Sequence, residues 1–167
     1  MLLPQDITIA VKLLTIQGKW TFATLGKSLA LSPSQVHSGY KRLICSELVT
    51  EDLKLPIKRN LIEFLIHGAR YMFPPEWGGE ATGLPTTHSS PIMSKLIKGS
   101  GNIIWPYKGR GMKKGRALAP IYKNIPEVAL YDENFYAVFS LLDSLRAGGA
   151  REREVAQKAL SSLILEL

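Results

Sequence analysis

The sequence predicts a mainly α-helical protein, with a winged-helix-like helix-turn-helix domain, a basic β-hairpin and a C-terminal helical extension. Apolar residues recur at helical spacing in residues 1–71 and again in residues 127–167. A helix-start signal at Ser32 comes only a few residues after the preceding helical pattern ends. Between residues 72 and 126, two apolar segments flank a basic, glycine-rich tip. Hydrophobic residues make up 46% of the chain, which is enough to give these elements a core.

The positive charge of the chain is concentrated in its first three-quarters. The 167 residues carry a formal net charge of +7, distributed as +4 in residues 1–60, +6 in residues 61–126 and −3 in residues 127–167. Such an excess favours a polyanionic partner, more often nucleic acid than a membrane surface. The longest apolar runs fall well short of the ~20 residues of a membrane span, and no positive region precedes an N-terminal apolar stretch. We therefore expect a cytoplasmic nucleic-acid-binding protein without a membrane partner.

Four helices are expected in the first domain, residues 1–71, and the fourth begins by Asn60 with Leu61, Phe64, Leu65 and Ala69 facing inward. The first begins at Pro4, where a proline fits the first turn, and its pattern stops at Gly18. The second begins near Thr21. The third is expected over Pro33–Glu47 and is the candidate recognition helix.

The start of this third helix carries the strongest local signal. Ser32 is placed to cap the helix, and Gln35, three positions later, completes a capping box. Residues 30–32 form the short connection of a helix-turn-helix, whose second helix enters the major groove of DNA. The outward side chains are polar or basic and include no acid, although a solvated face of a packing module has the same composition. The predicted DNA contacts in this region are Ser32, Ser34, Gln35, His37, Ser38, Lys41 and Arg42.

The residues from Leu25 to His37, together with Lys41-Arg42-Leu43 and Leu48-Val49, resemble the DNA-binding region of MarR-type winged-helix regulators. These are bacterial transcription factors that act mainly as dimeric repressors, so the resemblance implies double-stranded DNA binding and a homodimer. The segment from Thr50 to Asn60 departs from the pattern, because it lacks glycine and Pro56 interrupts the place of a second strand. The wing is therefore expected to be shortened or missing. Lys54, Lys58 and Arg59 are left as phosphate contacts.

The middle segment, residues 72–126, is expected to contain a long anchored loop over residues 73–101 and then a β-hairpin. The hairpin strands are predicted at 102–107 and 117–122, and their prolines indicate edge strands. The connecting tip is basic and glycine-rich, which suits phosphates or a minor groove but also a solvated mobile loop. We predict that it replaces the shortened wing. Its candidate DNA contacts are Lys108, Arg110, Lys113, Lys114 and Arg116.

Two helices are expected in the last segment, residues 127–167. Asp132 is placed to cap the first of them, and Gly148-Gly149 separates it from the second. The second carries a leucine-rich stripe. Such stripes close the core of a monomer or form a two-fold dimer interface, and the sequence leaves both open.

Signals of catalysis, cofactor binding and metal binding are weak. Gly26-Lys27-Ser28 lacks the upstream glycine of a phosphate-binding loop and lies within a predicted helix. His88 stands among serines and threonines with no acid nearby in sequence, so a hydrogen-bonded loop is expected. Cys45 is expected to be a small buried residue. We expect no enzyme, no cofactor and no metal site.

The sequence therefore predicts a transcriptional regulator, specifically a repressor that reads the major groove as a homodimer. The alternative is an antitoxin-like protein that binds a protein partner through loop 73–101 or the C-terminal helices and uses DNA binding for autoregulation. A third interpretation is charge-driven binding to RNA or DNA without sequence preference.

Overall fold

A computed structural model describes residues 1–167 and shows a mixed α/β fold in which helices predominate. The three predicted N-terminal helices are present as α1 (Pro4–Thr15), α2 (Phe22–Leu29) and α3 (Pro33–Cys45). The last of them ends two residues before the predicted Glu47. The predicted start residues are confirmed in all three helices.

The connection between α2 and α3 is fixed by local hydrogen bonds. Ser32 Oγ accepts from the Gln35 backbone N–H at 3.2 Å, and Gln35 Oε1 accepts from the Ser32 N–H at 2.9 Å. Ala30 ends α2 in the left-handed backbone region, and Leu31 N–H donates to Gly26 O at 2.8 Å. A Cβ on Gly26 would stand 2.6 Å from Leu31 O, so only glycine lets the turn close at this point.

Glu47 terminates α3 in the left-handed region, with φ +54°. Its N–H donates to Ile44 O, and Leu48 N–H donates to Leu43 O, which is the hydrogen-bond pattern of a Schellman motif. Glycine is the usual residue at this position because a Cβ is disfavoured there.

Replacing Glu47 with glycine should therefore stabilise the protein. We expect Glu47→Gly to raise the free energy of unfolding by about 0.5–1 kcal/mol, because relief of the left-handed strain exceeds the added chain entropy of glycine. Urea denaturation of both proteins measures the difference. The exposed helical residue Glu154 is the control, since glycine there should destabilise by about 1 kcal/mol. A destabilised Glu47→Gly protein would contradict this interpretation of the turn.

After α3, where the sequence predicted a shortened or missing wing, the chain forms a single β-bridge between Val49 and Pro56. Thr50 N–H donates to Leu55 O and Ile57 N–H donates to Leu48 O, both at 2.8 Å. Because proline donates no backbone hydrogen bond, the ladder does not extend at Pro56. A compact loop with an exposed tip takes the place of a full strand pair.

A helix with a central irregularity follows this loop. It consists of α4 (Lys58–Glu63), a π-helical turn (Phe64–Gly68) and α5 (Ala69–Met72). It begins two residues before Asn60, where the sequence indicated a start. Leu61, Leu65 and Ala69 are fully buried, as predicted.

The predicted β-hairpin is wrong in its pairing. The sheet contains β1 (Trp77–Thr86), β2 (Ile103–Pro106) and β3 (Lys113–Leu118), and β1 pairs antiparallel with both other strands. It follows that β2 and β3 run parallel to each other. The second predicted strand, 117–122, is displaced toward the basic tip, so Lys113, Lys114 and Arg116 lie in a strand.

The missed strand β1 lies inside the predicted loop 73–101. Its glycines and prolines indicated loop structure, yet Gly83 is required by close strand packing. A Cβ there would stand 1.8 Å from Trp105 O of β2. Gly83 therefore marks a close backbone approach rather than a break in the strand.

The C-terminal segment forms the centre of the fold. It contains α6 (Ile125–Ala129), α7 (Glu133–Ala147) and α8 (Ala150–Glu166), and α7 is buried along most of its circumference. Contacts of α7 reach α1, α5, β1 and α8. One hydrophobic cluster extends from Leu2 to Ile164, so all three predicted segments contribute to the same core.

Asp132 links the start of α7 to α1. It caps α7 as predicted, accepting from Phe135 N–H at 2.9 Å, and also accepts from Lys12 Nζ at 2.6 Å and Thr15 Oγ1 at 2.7 Å. Burial alone would raise the pKa of Asp132, but these hydrogen bonds and the charge of Lys12 hold it below its ordinary value. The N-terminal helices are thereby joined to the central helix.

Candidate nucleic-acid interface

The two faces of α3 differ sharply in burial. Val36, Tyr40 and Leu43 are buried, and Gly39 brings α3 so close to α1 that a Cβ would stand 2.5 Å from Ile9 Cδ1. The opposite face is fully accessible and carries no acidic side chain. Its exposed residues are Ser34, Gln35, His37, Ser38 and Lys41, with Ser32 exposed just before the helix.

Two of these predicted contacts already serve the helix start. Ser32 and Gln35 form the capping box, and Ser32 Oγ also lies 3.0 Å from Ser34 Oγ. A bidentate Gln35–adenine pair would draw Gln35 Oε1 away from the Ser32 N–H. In contrast, Ser38 and Lys41 make no side-chain hydrogen bond within the protein and are free for a ligand.

Arg42 is a correction to the predicted interface. Its Nε donates to Asp6 Oδ2 at 2.7 Å and its Nη2 to Asp6 Oδ1 at 2.8 Å. The Asp6 side chain is fully buried, and this bidentate pair fastens α3 to α1. The Arg42 side chain thus faces the inside of the helical bundle. The local sequence pattern could not show this, because the acidic partner of Arg42 lies 36 residues away.

A cluster of aromatic rings, Trp20, Phe22 and Tyr40, lies beside the exposed face of α3. Phe22 packs edge-to-face on Tyr40 at 5.7 Å and on the His37 ring at 5.1 Å. Lys54 Nζ, at the tip of the short wing, stands over Trp20 at 5.7 Å and over Phe22 at 5.8 Å. This aromatic cluster holds the Lys54 ammonium group next to the exposed face of α3.

The sequence did not indicate this aromatic cluster. Trp20 lies in the loop before α2, Phe22 lies in α2 and Tyr40 lies in α3. The helical patterns place Phe22 and Tyr40 on the inward faces of two different helices and do not place Trp20. Tyr40 also donates from its hydroxyl to Thr50 O at 2.9 Å, which ties the wing to α3. The alternation of aromatic residues at positions 20 and 22 was the one local signal of the cluster.

The remaining basic residues divide into two groups. Lys58 and Arg59 lie in the first turn of α4. Arg59 is exposed, whereas Lys58 is half-buried and its Nζ donates to Leu165 O at 3.3 Å. Lys108 and Arg110 lie in the turn between β2 and β3, and all five cations of this basic tip are exposed.

The sheet carries its cations beside an open groove of about 690 Å³. Lys114 and Arg116 line this groove together with glycine backbone from β1 and from residue 101. The Arg116 guanidinium stacks over the Trp77 ring at 4.2 Å, which fixes its position. Strand β1, which contributes glycine backbone to the groove, packs against α7.

The residues considered for other chemistry are dispersed. Cys45 is exposed, which corrects the expectation of a buried thiol, because it lies at the last turn of α3 on the side away from the core. His67 and His37 are exposed, and His88 is hydrogen-bonded within its loop, as expected. No group of three or more His, Cys, Asp or Glu side chains is arranged to hold a metal ion. None of the helices has the length and apolar character needed to cross a membrane.

The exposed face of α3, the aromatic cluster with Lys54 and the basic sheet are thus the surfaces open to a polyanion. Comparison of the chain with family models, with curated proteins and with solved structures found no match.

Proposed function

We propose that this protein is a sequence-specific double-stranded-DNA-binding transcriptional regulator that inserts α3 into the major groove. The proposal rests on the outward face of α3, which exposes hydroxyl, imidazole and ammonium groups and no acid. The helix is capped at its start and is separated from α2 by three residues. Hydroxyls, amides and cations of this kind bond to base edges and phosphates, and a helix of this width fits the major groove. The start of a recognition helix meets the bases first, which gives Ser34 and Ser38 a central place.

The residues of this face have different roles in the proposal. Ser38 and Lys41 are free of internal hydrogen bonds and contact bases or phosphates directly. Ser32 and Gln35 hold the first turn of α3 in shape, and Ser34 stands between the two roles. His37 is oriented by its edge-to-face contact with Phe22.

The short wing supplies a second contact. Lys54 is held over the aromatic cluster beside α3, so a duplex docked on α3 has a phosphate within reach of its ammonium group. Arg59, exposed in the first turn of α4, adds a further cation on the C-terminal side of the wing. These contacts fix the orientation of the duplex and leave sequence discrimination to α3.

We infer a repressor that acts as a homodimer in the cytoplasm. The apolar stripe of α8 is largely used inside the monomer, since Ala156, Leu160 and Ile164 are fully buried. A two-fold interface therefore needs other residues, such as the exposed Leu165. Analytical ultracentrifugation with and without DNA measures the oligomeric state.

The experiment that tests the proposal is selection of binding sites from a random-sequence duplex library, followed by fluorescence anisotropy with the selected and a scrambled duplex. We expect a preference that survives physiological salt and decreases in a Ser34→Ala, Ser38→Ala variant, because each serine hydroxyl that bonds to a base edge contributes about 0.5–1.5 kcal/mol. Ser162→Ala, an exposed serine on α8, is the matched control. Equal, salt-labile binding to both duplexes would refute sequence-specific recognition.

A separate prediction concerns the basic sheet. If β3 follows the DNA backbone, Lys113→Gln with Lys114→Gln should lower the log–log salt slope of binding by about 0.9 for each phosphate that the variant no longer neutralises. The selected sequence should stay the same. Lys95→Gln with Lys98→Gln, two exposed lysines outside the sheet, removes the same charge as a control. An unchanged slope would show that the sheet does not replace the wing.

A further inference from the structure

A small pocket lies on the far side of α7, away from the helix-turn-helix. It is bounded by the turn Thr87–Ser89 after β1 and by the junction of α7 and α8, and its volume is about 160 Å³. Trp77 and Ile103 form an apolar wall, while Thr87, His88 and Glu152 are its polar side chains. An engineered protein cavity of about 150 Å³ accommodates benzene, so this pocket suits a ligand of a few heavy atoms.

Two polar atoms at this pocket are buried without a hydrogen-bond partner. They are Thr87 Oγ1, on a residue that is only 2% exposed, and Glu152 Oε1. Buried polar atoms in folded proteins are nearly always paired, so each of these oxygens is available to a donor that the protein itself does not supply. Glu152 stands in the first turn of α8, where its charge complements the helix N-terminus, but that role leaves Oε1 unpaired.

The third polar group, His88, is oriented with an acceptor toward Glu152. Its Nε2 lies 3.0 Å from Gly101 O, and because a carbonyl oxygen only accepts, Nε2 carries the hydrogen. The other ring nitrogen, Nδ1, lies 3.9 Å from Glu152 Oε2, which is too long for a direct hydrogen bond. In the neutral ring, Nδ1 therefore presents a lone pair to a carboxylate, and a donor between them satisfies both.

Tight backbone contacts hold these groups in place. A Cβ on Gly99 would stand 2.2 Å from His88 Cδ2, and a Cβ on Gly148 would stand 2.8 Å from Glu152 Cδ. Both side chains thus lie directly against glycine backbone. The arrangement is fixed before any ligand arrives, which lowers the cost of binding.

We propose that this pocket binds the ammonium group of a small primary amine. An ammonium has three N–H donors and no acceptor, which matches the acceptors offered by Thr87 Oγ1, His88 Nδ1 and the Glu152 carboxylate. Glu152 supplies the compensating charge, and the alkyl part of the amine lies against Trp77 and Ile103. A neutral alcohol lacks the charge, and a carboxylate is repelled by Glu152.

Nuclear magnetic resonance titration of the full chain with ethylammonium chloride tests this proposal. We expect saturable shifts of the His88 ring signals and of the Gly148 and Gly149 amides, with a Kd of about 1 mM for so small a ligand. Ethanol, sodium acetate and matched sodium chloride should produce no saturable shift. Before addition of the amine, the His88 ring nitrogens should show a hydrogen on Nε2, the atom that faces Gly101 O.

Variants separate binding from folding. Glu152→Gln should weaken ethylammonium binding at least about tenfold, which corresponds to about 1.4 kcal/mol. Thr87→Val should weaken it several-fold without loss of stability, because Thr87 Oγ1 makes no hydrogen bond in the folded protein. Glu154→Gln, on the exposed side of the same helix, should leave binding unchanged.

Several outcomes would overturn the proposal. Linear, unsaturated shifts would show that only water fills the pocket. Equal shifts with ethanol, or full binding by Glu152→Gln, would show that the pocket does not recognise an ammonium group through Glu152. A doubly protonated His88 ring paired with Glu152 in the amine-free protein would show that the missing donor is His88 itself. No DNA is used, so these outcomes are independent of the DNA-binding proposal.

Discussion

Asp143→Ala should destabilise this protein by about 3–5 kcal/mol, the largest effect we expect from a single substitution. Asp143 is buried in α7 and pairs with Arg146, whose Nη1 lies 2.6 Å from Asp143 Oδ1. Its other oxygen accepts from Thr86 Oγ1 at 3.0 Å and from Trp105 Nε1. The substitution therefore leaves a buried guanidinium, an indole N–H and a hydroxyl without their acceptor.

The remaining donors of Arg146 make this network a junction between elements. Arg146 Nε donates to Phe73 O at 2.7 Å and Nη2 to Pro74 O at 3.0 Å, at the chain segment that leaves α5. The Asp143–Arg146 ion pair thus joins helix α7, strands β1 and β2, and the chain segment after α5. A decrease of about 3–5 kcal/mol is a large part of the roughly 5–15 kcal/mol by which domains are stable.

Chemical denaturation of the wild type and of Asp143→Ala measures this decrease. Glu154→Ala, at an exposed position of α8, is the control and should change stability by less than about 0.5 kcal/mol. A double change, Asp143→Leu with Arg146→Met, should fail to restore stability. The buried Trp105 N–H and the buried Thr86 hydroxyl would still lack their acceptor in that protein. A decrease below about 1 kcal/mol for Asp143→Ala would contradict these roles of the network.

The sequence predicted those parts of the fold that are determined by residues close together in the chain. The helix starts at Pro4, Thr21, Ser32 and Asp132 depend on side chains within three or four positions, and all are present in the structure. The same holds for the break at residues 148–149. Apolar periodicity likewise identified the buried faces of α3 and α7, because each face repeats within one helix.

Features that depend on distant residues could not be predicted in this way. Strand β1 pairs with β2 at separations of 17 to 23 residues and with β3 at separations of 30 to 41 residues, and Gly83 is explained only by the Trp105 backbone that it approaches. Glu152, whose carboxylate lies 3.9 Å from the His88 ring, is 64 positions away in the sequence. Arg42 was assigned to the DNA face because its partner, Asp6, belongs to another helix.

The candidate interface shows the same division. Exposure of Ser34, Ser38 and Lys41 follows from the period of α3, so the sequence placed these side chains correctly. The aromatic cluster that carries Lys54 combines three separate segments and became visible only in the folded chain. Local patterns therefore located α3 and its exposed face, and tertiary contacts determine which side chains of that face remain unpaired.

The adjacent residues Lys41 and Arg42 of α3 should therefore differ in what their substitution changes. Arg42→Ala should lower stability, whereas Lys41→Ala should lower the proposed DNA binding. Arg42→Ala should destabilise the protein by about 3 kcal/mol, because it leaves the carboxylate of Asp6 buried and without its cation. The expected decrease lies at the lower end of the range for buried pairs. Asp6 keeps a hydrogen bond from Leu3 N–H at 2.7 Å, and the Arg42 side chain is 27% exposed.

Lys41→Ala should leave stability within about 0.5 kcal/mol of the wild type, because Lys41 is exposed and unpaired. For DNA binding we expect the larger effect from Lys41→Ala and the smaller one from Arg42→Ala. Lys41→Ala should weaken affinity by about 1–3 kcal/mol if Lys41 meets a base, or lower the log–log salt slope by about 0.9 if it meets a phosphate. Arg42→Ala, assayed where it is still folded, should retain the wild-type salt slope, since its guanidinium never reaches the duplex. A reduced slope for Arg42→Ala with unchanged stability would show that Arg42 leaves Asp6 for a phosphate when DNA binds.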